Sequence, residues 1–321
     1  MSRRILVLGA TGMLGHTLMR ELHDVAALDV HGAVRGTGAA GLPPELVERI
    51  TTGVDVRDPG RVGRLVDDVR PEVVVNCVGV IKQRPEVQDA VHTITVNALF
   101  PHQLAQECAR RDVRLVHVST DCVFSGDRGG YVETDIPDPP DLYGRSKLLG
   151  EVHRPPALTL RTSIIGHELT GHRSLVDWFL SQDTIVSGYT KAIYSGVTTV
   201  EFARLLRSVV LSREDLTGLY HVAAIPISKY ELLKLVATAY GWAGRIVPHD
   251  GFVCDRSMSA EALAQATGYR PPSWSEMISQ LVAARARWAR GGVPPVYPGA
   301  VNRPRSPGGP SGSPPAPRSR S

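Results

Sequence analysis

A tyrosine and a lysine, Tyr143 and Lys147, stand four positions apart in the segment YGRSK. On a helix this spacing places both side chains on one face, where their polar ends can converge. A phenol has an ordinary pKa of about 10 and is a weak acid at neutral pH, but a neighbouring ammonium favours its ionised form. Such a pair could deliver a proton to a carbonyl oxygen while a hydride arrives at the carbon. Because the spacing is common on solvated helices, this interpretation needs a hydride source elsewhere in the chain.

A glycine-rich turn near the start of the chain suits such a source. The apolar run at 5–8 leads into GATGMLG at 9–15, and leucines then recur at helical spacing. This strand–turn–helix order is typical of dinucleotide sites. Gly9 would make the tight turn, Gly12 would admit backbone amides to a pyrophosphate, and Gly15 would let the helix pack on the strand. The spacing is G-x-x-G-x-x-G rather than G-x-G-x-x-G.

Further motifs follow this turn in a consistent order. They are GVDVRD at 53–58, VVVNCVGV at 73–80, VHVSTDCVFSG at 116–126, YGRSKLLGE at 143–151 and LRTSIIG at 160–166. Together with the glycine turn they resemble the extended short-chain dehydrogenases/reductases, most closely the dTDP-4-dehydrorhamnose reductase-like branch. The resemblance implies a Rossmann-type fold. It also implies NADPH-dependent reduction of a 4-keto deoxysugar nucleotide, in the assembly of polysaccharides or glycosylated metabolites.

The resemblance also implies roles for the polar residues. Thr120 would orient the carbonyl and Tyr143 would donate the proton. Lys147 would lower the pKa of Tyr143 and hold the nicotinamide ribose. We expect substrate binding by Ser119, Thr120, Asp121 and Tyr143. Cys122 stands where this branch commonly has a tyrosine, so we expect a different sugar pocket.

The second strand distinguishes two cofactors. If it ends at Asp29, a carboxylate would hold a ribose hydroxyl and favour NADH. If it continues to Arg35, a guanidinium can bind the 2′-phosphate of NADPH, and similar reductases place an arginine there. The long preceding helix favours the second possibility, so we expect NADPH, with NADH as the alternative. The other expected cofactor contacts are Gly9, Thr11, Gly12, Met13, Leu14, Gly15, Asp55, Val56, Cys77, Val78, Gly79, Tyr143 and Lys147.

Composition limits the class of protein. The chain has 321 residues, 42% of them hydrophobic, and no run of apolar residues long enough for a membrane span. The amino terminus runs directly into a strand, and four scattered cysteines suit a reducing compartment, so we expect a cytoplasmic protein. Histidines and cysteines show no metal-ligand spacing. We therefore expect no metal, no membrane and no nucleic-acid partner, and a homodimer, common in similar proteins, is left open.

Alternating patterns predict a doubly wound parallel α/β sheet with a smaller, mostly C-terminal substrate-binding domain. Expected strands lie near 4–9, 30–35, 50–54, 73–78, 114–119 and 157–161. Expected helices lie near 14–27, 58–69, 91–111 and 142–152, and capping boxes at 228–231 and 273–276 open two more. We assign 1–165 to the NADP-binding domain, with 193–222 returning to it. The substrate domain takes 166–192 and 223–290, and the Pro/Gly/Ser/Arg-rich tail at 291–321 should be disordered.

Two other functions stay open. A sugar-nucleotide epimerase or dehydratase of the same superfamily would need an additional acid or base, a place that Asp121 could fill. A catalytically silent NADP-binding regulatory subunit is the third possibility. The presence together of Thr120, Tyr143 and Lys147 argues against a silent scaffold, which has no need of all three.

Overall fold

The computed structural model describes residues 2–82 and 85–290. The strands within these residues are β1 (Arg3–Leu8), β2 (Leu28–Ala33), β3 (Ile50–Thr51), β4 (Val73–Asn76), β5 (Arg114–Thr120), β6 (Leu158–Thr162), β7 (Ile164–Ile165), β8 (Ile185–Tyr189), β9 (Ala192–Tyr194), β10 (Val197–Thr198), β11 (Gly218–Val222), β12 (Ile227–Ser228), β13 (Arg245–His249) and β14 (Cys254–Asp255). The helices are α1 (Met13–His23), α2 (Pro44–Val47), α3 (Pro59–Val69), α4 (Ala90–Ile94), α5 (Phe100–Ala109), α6 (Leu142–Leu149), α7 (Leu175–Leu180), α8 (Thr199–Leu205), α9 (Lys229–Tyr240), α10 (Glu261–Thr267) and α11 (Trp274–Arg290).

Seven of these strands form one parallel sheet in the order β3-β2-β1-β4-β5-β6-β11. The predicted doubly wound parallel sheet is therefore confirmed. The strand order reverses between β1 and β4. In sheets of this kind, the connections after two such strands run to opposite faces and leave a crevice at the carboxyl ends.

Both faces of the sheet are buried, and strand β1 shows why the sequence requires this. Its side chains point alternately to opposite faces. Ile5 and Val7 join an apolar cluster with α1, α8 and α11, whereas Leu6 and Leu8 join a second cluster with α3 and α5. A continuous apolar strand of this type is stable only when helices cover both sides, which explains the layered architecture.

The element bounds differ from expectation in two informative places. Strand β2 begins at Leu28 and ends at Ala33, earlier than predicted. The helix expected over 91–111 is α4 and α5, with a π-helical turn at Thr95–Leu99 between them. π-Bulges of this kind occur often at functional sites.

Each of the two predicted capping boxes is present in its serine half, in which the serine hydroxyl caps the helix. Ser228 Oγ accepts a hydrogen bond from the Glu231 amide at 3.1 Å, at the start of α9. Ser273 Oγ accepts one from the Glu276 amide at 3.3 Å, at the start of α11. These bonds satisfy amides that the first helical turn leaves without partners.

Smaller sheets, β12-β9-β14 and β13-β8, lie in the later part of the chain. Strand β11 pairs with β6 at the edge of the large sheet, and α8 belongs to the same apolar cluster as α1. The domain boundaries remain a prediction. The tail at 291–321 lies outside the described residues.

Candidate active site

A cavity of about 810 Å³ opens at the carboxyl ends of β1, β2, β4 and β5. Every residue expected in the site lines this cavity, with the exception of Gly15. The convergence follows from the topology, because the carboxyl ends of parallel strands meet at one edge of the sheet. The motifs that are spread over residues 9–147 in the sequence are thus brought to one place.

The glycine turn forms one wall of the cavity. Gly9 has a φ of +79°, in the left-handed region that favours glycine. Gly12 caps α1, which has neither a side-chain cap nor an acidic residue in its first turn. The amides at this helix end are therefore free to face an anion, as a pyrophosphate requires.

Gly15 has a different role from the one expected for a cofactor contact. A Cβ at this position would overlap the carbonyl oxygen of Gly9. Gly15 therefore lets α1 pack closely on the turn, as the glycine pattern predicted, and does not itself line the cavity.

The two candidate cofactor selectors lie at opposite ends of β2. Arg35 follows the strand by two residues and lines the cavity. Asp29 is near the amino end, where Arg4 Nε and Arg49 Nη1 bind its carboxylate at 2.9 and 2.6 Å. These bonds hold the pKa of Asp29 well below its ordinary range. The interpretation that used Asp29 to hold a ribose is wrong, because β2 begins before it rather than ending at it.

Asp55 also lines the cavity, but its carboxylate already has a cationic partner. Arg57 Nη2 lies 2.5 Å from Asp55 Oδ2, and Arg57 Nε lies 3.0 Å from Oδ1. The hydrogen bonds from Arg57 lower the pKa of Asp55 to about 2. Any contact of Asp55 with a cofactor is therefore made by a fully ionised, pre-oriented carboxylate.

Helix α6 is placed directly against the turn that carries Thr120. The Asp141 carboxylate caps the helix by accepting a bond from the Gly144 amide at 2.8 Å. A Cβ at Gly144 would overlap the carbonyl oxygen of Cys122, so only glycine permits this approach. The glycine inside the YGRSK segment thus positions Tyr143 beside Thr120.

Tyr143 and Lys147 both line the cavity, but the predicted acidification of the phenol is not borne out. Burial raises the pKa of Tyr143, with Cys122 adding to the increase and the Thr120 side chain opposing it. Lys147 Nζ donates a hydrogen bond to the Val118 carbonyl at 2.8 Å. Burial lowers the pKa of Lys147 to about 8. Tyr143 therefore stays protonated at neutral pH.

Neighbouring residues Ser119 and Thr120 point their hydroxyls to different partners. Ser119 Oγ donates to the buried Glu151 carboxylate at 2.6 Å, and Arg161 binds the same carboxylate through two bonds of 2.7 Å. The hydroxyl of Ser119 is thus engaged in a structural ion pair rather than free for substrate. Thr120 Oγ1 accepts from the Cys122 amide at 3.2 Å and donates to the Asp121 carboxylate at 3.1 Å.

The wall formed by residues 77–80 is held from behind by two asparagines. Asn76 Oδ1 accepts from the Val78 amide at 3.1 Å. Asn97, in the π-helical turn, bonds both the amide and the carbonyl of Val80, at 2.8 and 3.0 Å. Asn97 is thus a support for the cavity wall.

Several lining residues were not predicted from the sequence. They come from the segment after β4, from loops of the later chain, from the end of β9 and from the start of α9: Lys82, Glu168, Arg173, Tyr194, Lys229, Phe252 and Arg256. Trp178 also lines the cavity, with 40% of its surface exposed. Lys82 pairs with Asp141 at 2.6 Å and lies 5.6 Å from the centre of the Tyr143 ring.

Two kinds of feature, a metal-binding cluster and a membrane-spanning helix, are absent from residues 2–82 and 85–290. No group of three or more histidine, cysteine, aspartate or glutamate side chains there is arranged to hold a metal ion. None of the helices in that part of the chain combines the length and apolar character needed to cross a membrane.

Comparison with known proteins identifies the family of the chain. The profile of the RmlD substrate binding domain family matches residues 3–286. The chain belongs to this family. One relative of this chain is the probable low-salt glycan biosynthesis reductase Agl14 of Haloferax volcanii, which is 32% identical over 234 residues. That alignment covers 68% of this chain and 73% of the relative.

Other relatives of this RmlD-family chain match over shorter stretches. Rat methionine adenosyltransferase 2 subunit beta is 35% identical over 154 residues, covering 47% of this chain and 42% of that protein. The chain thus spans less than half the length of that relative. A dTDP-4-dehydrorhamnose reductase from Mycobacterium tuberculosis is 34% identical over 159 residues, covering 47% of this chain and 45% of the relative.

Solved structures share the fold. The Bacillus anthracis dTDP-4-dehydrorhamnose reductase, determined in complex with NADP, has a TM-score of 0.73 and 23% identity, covering 88% of this chain and 100% of that one. The Thermus thermophilus UDP-glucose 4-epimerase, determined with NAD, has a TM-score of 0.71 and 24% identity, covering 90% and 100%. At such identities the likeness establishes the fold alone.

Proposed function

We propose that this protein reduces the 4-keto group of a nucleotide-linked deoxysugar with NADPH, in polysaccharide or glycosylated-metabolite biosynthesis. The observation that carries the proposal is the meeting of Thr120, Tyr143 and Lys147 with the glycine turn in one cavity. The similarity to the Haloferax and Mycobacterium relatives, both named as reductases, supports the same reaction class.

The fit of a dinucleotide rests on the walls of the cavity. The uncapped amides of α1 suit a pyrophosphate, and Arg35 suits the 2′-phosphate that distinguishes NADPH from NADH. A Cβ at Gly9 would lie 3.3 Å from the Cys77 backbone, so glycine at this position lets the turn lie close to the end of β4. When bound, NADPH supplies the hydride for the carbonyl carbon.

The chain's own residues would handle the proton and the orientation of the substrate. Thr120 lies at the carboxyl end of β5 and would hydrogen-bond the substrate oxygen, stabilising charge that develops there. Tyr143 would then donate its proton to that oxygen. Reduction of a ketone leaves an alkoxide, a much stronger base than a phenolate, so the transfer is favourable even though burial raises the pKa of Tyr143.

Lys147 would act through its position rather than by acidifying the phenol. Its amine is anchored on the Val118 carbonyl and lies in the same cavity wall as Cys77 and Val78. From there it would hold the nicotinamide ribose and stabilise negative charge near Tyr143. We further infer that residues 1–165 with 193–222 bind the cofactor, and that 166–192 with 223–290 bind the sugar nucleotide.

The test uses purified protein, NADPH and a panel of 4-keto sugar nucleotides, with the absorbance of the reduced nicotinamide followed over time. We expect one NADPH to be consumed for each product formed. Product without NADPH consumption would contradict the proposal in favour of an epimerase or dehydratase. Binding of NADPH without turnover across the panel would favour a catalytically silent regulatory subunit.

A further inference from the structure

Arg35, Arg173 and Arg256 line the cavity, and Arg256 is more buried than the other two. Arg256 is half-buried and lines the cavity just after β14. Its Nε donates to the Phe124 carbonyl at 2.8 Å, and its Nη1 lies 3.9 Å from Cys122 Sγ. No carboxylate in the described residues forms an ion pair with this guanidinium. Lys82, in the same cavity, shows the contrast, because Asp141 neutralises it at 2.6 Å.

Arg256 has hydrogen-bond donors on the cavity lining that no protein group uses fully. A guanidinium carries five N–H donors in a fixed planar fork. The carbonyl of Phe124 takes one of them, and a thiol sulfur is only a weak acceptor for another. Asp121 and Asp141 favour the charged form of Arg256 electrostatically but form no ion pair with it, so its remaining N–H donors are available to an anion in the cavity.

The position of Arg256 indicates which ligand that anion belongs to. Its neighbours Cys122 and Phe124 belong to the turn that follows Thr120, and Arg256 acts electrostatically on Asp121. The anion would therefore lie beside the reacting end of the substrate. The uncapped end of α1 and Arg35 belong to the other half of the cavity, where the cofactor phosphates are proposed to bind.

We propose that Arg256 binds an anionic group that the substrate carries next to its reacting sugar. The group is a phosphate on the sugar or a carboxylate of the sugar itself, since both present paired oxygens to the guanidinium fork. This inference rests on the proposed function, and it makes Arg256 a determinant of which sugar nucleotide is accepted.

The test measures binding by calorimetry in the presence of NADP⁺, so that turnover is not required. The probes are the diphosphates dTDP and UDP, their glucose derivatives, and their glucuronic acid derivatives. The variants are Arg256→Gln, Arg256→Lys and, as a matched control, Arg245→Gln. Arg245 is an exposed arginine of the later chain that does not line the cavity.

We expect Arg256→Gln to weaken probe binding about 10- to 100-fold, the range for a lost charge-assisted hydrogen bond. Arg256→Lys should retain part of the affinity, and NADP⁺ affinity should not change in either variant. If every probe binds more weakly to Arg256→Gln, the anion that Arg256 binds is the phosphate. If only the glucuronic acid derivatives bind more weakly, that anion is the carboxylate.

The inference and the proposed function fail in different ways. If Arg256→Gln and Arg245→Gln both bind every probe as the wild type does, the role of Arg256 is overturned while the reductase proposal stands. If the wild type binds none of the probes but consumes NADPH with a 4-keto substrate, the role of Arg256 in anion recognition is also overturned. If the wild type neither binds a probe nor consumes NADPH, both proposals fall.

Discussion

The two halves of the cavity recognise ligands with different chemical groups. The cofactor half uses backbone amides at the start of α1 and residues directly after β1, β2 and β4. The substrate half uses side chains such as Arg173, Phe252 and Arg256, which come from loops of the later chain. One half is therefore built by the topology of the sheet, and the other by individual side chains.

The two halves should respond differently to substitution of their residues. A site made of backbone groups at strand ends persists as long as the sheet folds, because almost any side chain leaves the amides in place. A site made of loop side chains can change its ligand through a single substitution. We therefore expect substitutions in the cofactor half to act on the cofactor alone, and substitutions near Thr120 to act on catalysis or on the choice of sugar.

The largest loss of activity is expected at Tyr143, between the cofactor half and the substrate half. Tyr143→Phe removes the proton donor and should lower kcat by about 10²- to 10⁴-fold, the usual contribution of a positioned acid. The affinity for NADPH should change little, because the ring remains. Tyr189→Phe is the control, since Tyr189 lies outside the cavity lining and 37% of its surface is exposed. Stopped-flow kinetics measure kcat, and a fluorescence titration measures the affinity for NADPH. Equal kcat in Tyr143→Phe and Tyr189→Phe would contradict the role of Tyr143.

A smaller effect is expected inside the cofactor half. Arg35→Gln should weaken NADPH binding by about 10- to 100-fold while leaving NADH binding unchanged, because only NADPH carries the 2′-phosphate. Asp29→Asn should not alter the preference, since Asp29 lies at the opposite end of β2. Dissociation constants for both dinucleotides test this pair. A change of preference in Asp29→Asn, with none in Arg35→Gln, would reverse the assignment.

The pH dependence should show the state of Lys147. Burial lowers the pKa of this amine to about 8, so the ammonium is present below that pH and lost above it. We therefore expect kcat/KM to fall as the pH rises through about 8, approaching tenfold per pH unit well above the pKa. In Lys147→Met this step should be absent. A wild-type profile that stays level up to about pH 10, the ordinary range of lysine, would show that the charge of Lys147 is not needed.

The smallest effect on catalysis is expected at Ser119. Its hydroxyl binds Glu151 inside a buried ion pair, so Ser119→Ala should lower the free energy of unfolding by about 1–3 kcal/mol. The KM for the sugar nucleotide should stay within about twofold, a change below 0.5 kcal/mol. Chemical denaturation and steady-state kinetics measure the two quantities. A large increase in KM at unchanged stability would return Ser119 to the substrate-binding residues.

The sequence predicted the cofactor half well because local patterns determine it. Gly12, Arg35 and Tyr143 each follow a recognisable strand or open a helix, and parallel strands bring such positions to one edge. The mistakes concern partners that are distant in the chain. Asp29 pairs with Arg4 across neighbouring strands, and Ser119 with Glu151 across 32 positions, and no local pattern shows either contact.

The substrate half could not be predicted for the same reason. Arg256 lies in a segment with no helical or strand periodicity of its own, and its neighbour Cys122 is 134 positions away. The sequence did predict two helices of the later chain, because Ser228 and Ser273 precede them at capping positions. The cytoplasmic location and the oligomeric state remain predictions.

The most direct measurement follows the hydride itself. NADPH deuterated at either face of nicotinamide C4 is incubated with the protein and a 4-keto sugar nucleotide, and the product is examined by mass spectrometry and NMR. We expect one of the two labelled cofactors to place a single deuterium on the former carbonyl carbon, with one NADP⁺ formed per product. Product that carries no deuterium from either cofactor would contradict the account.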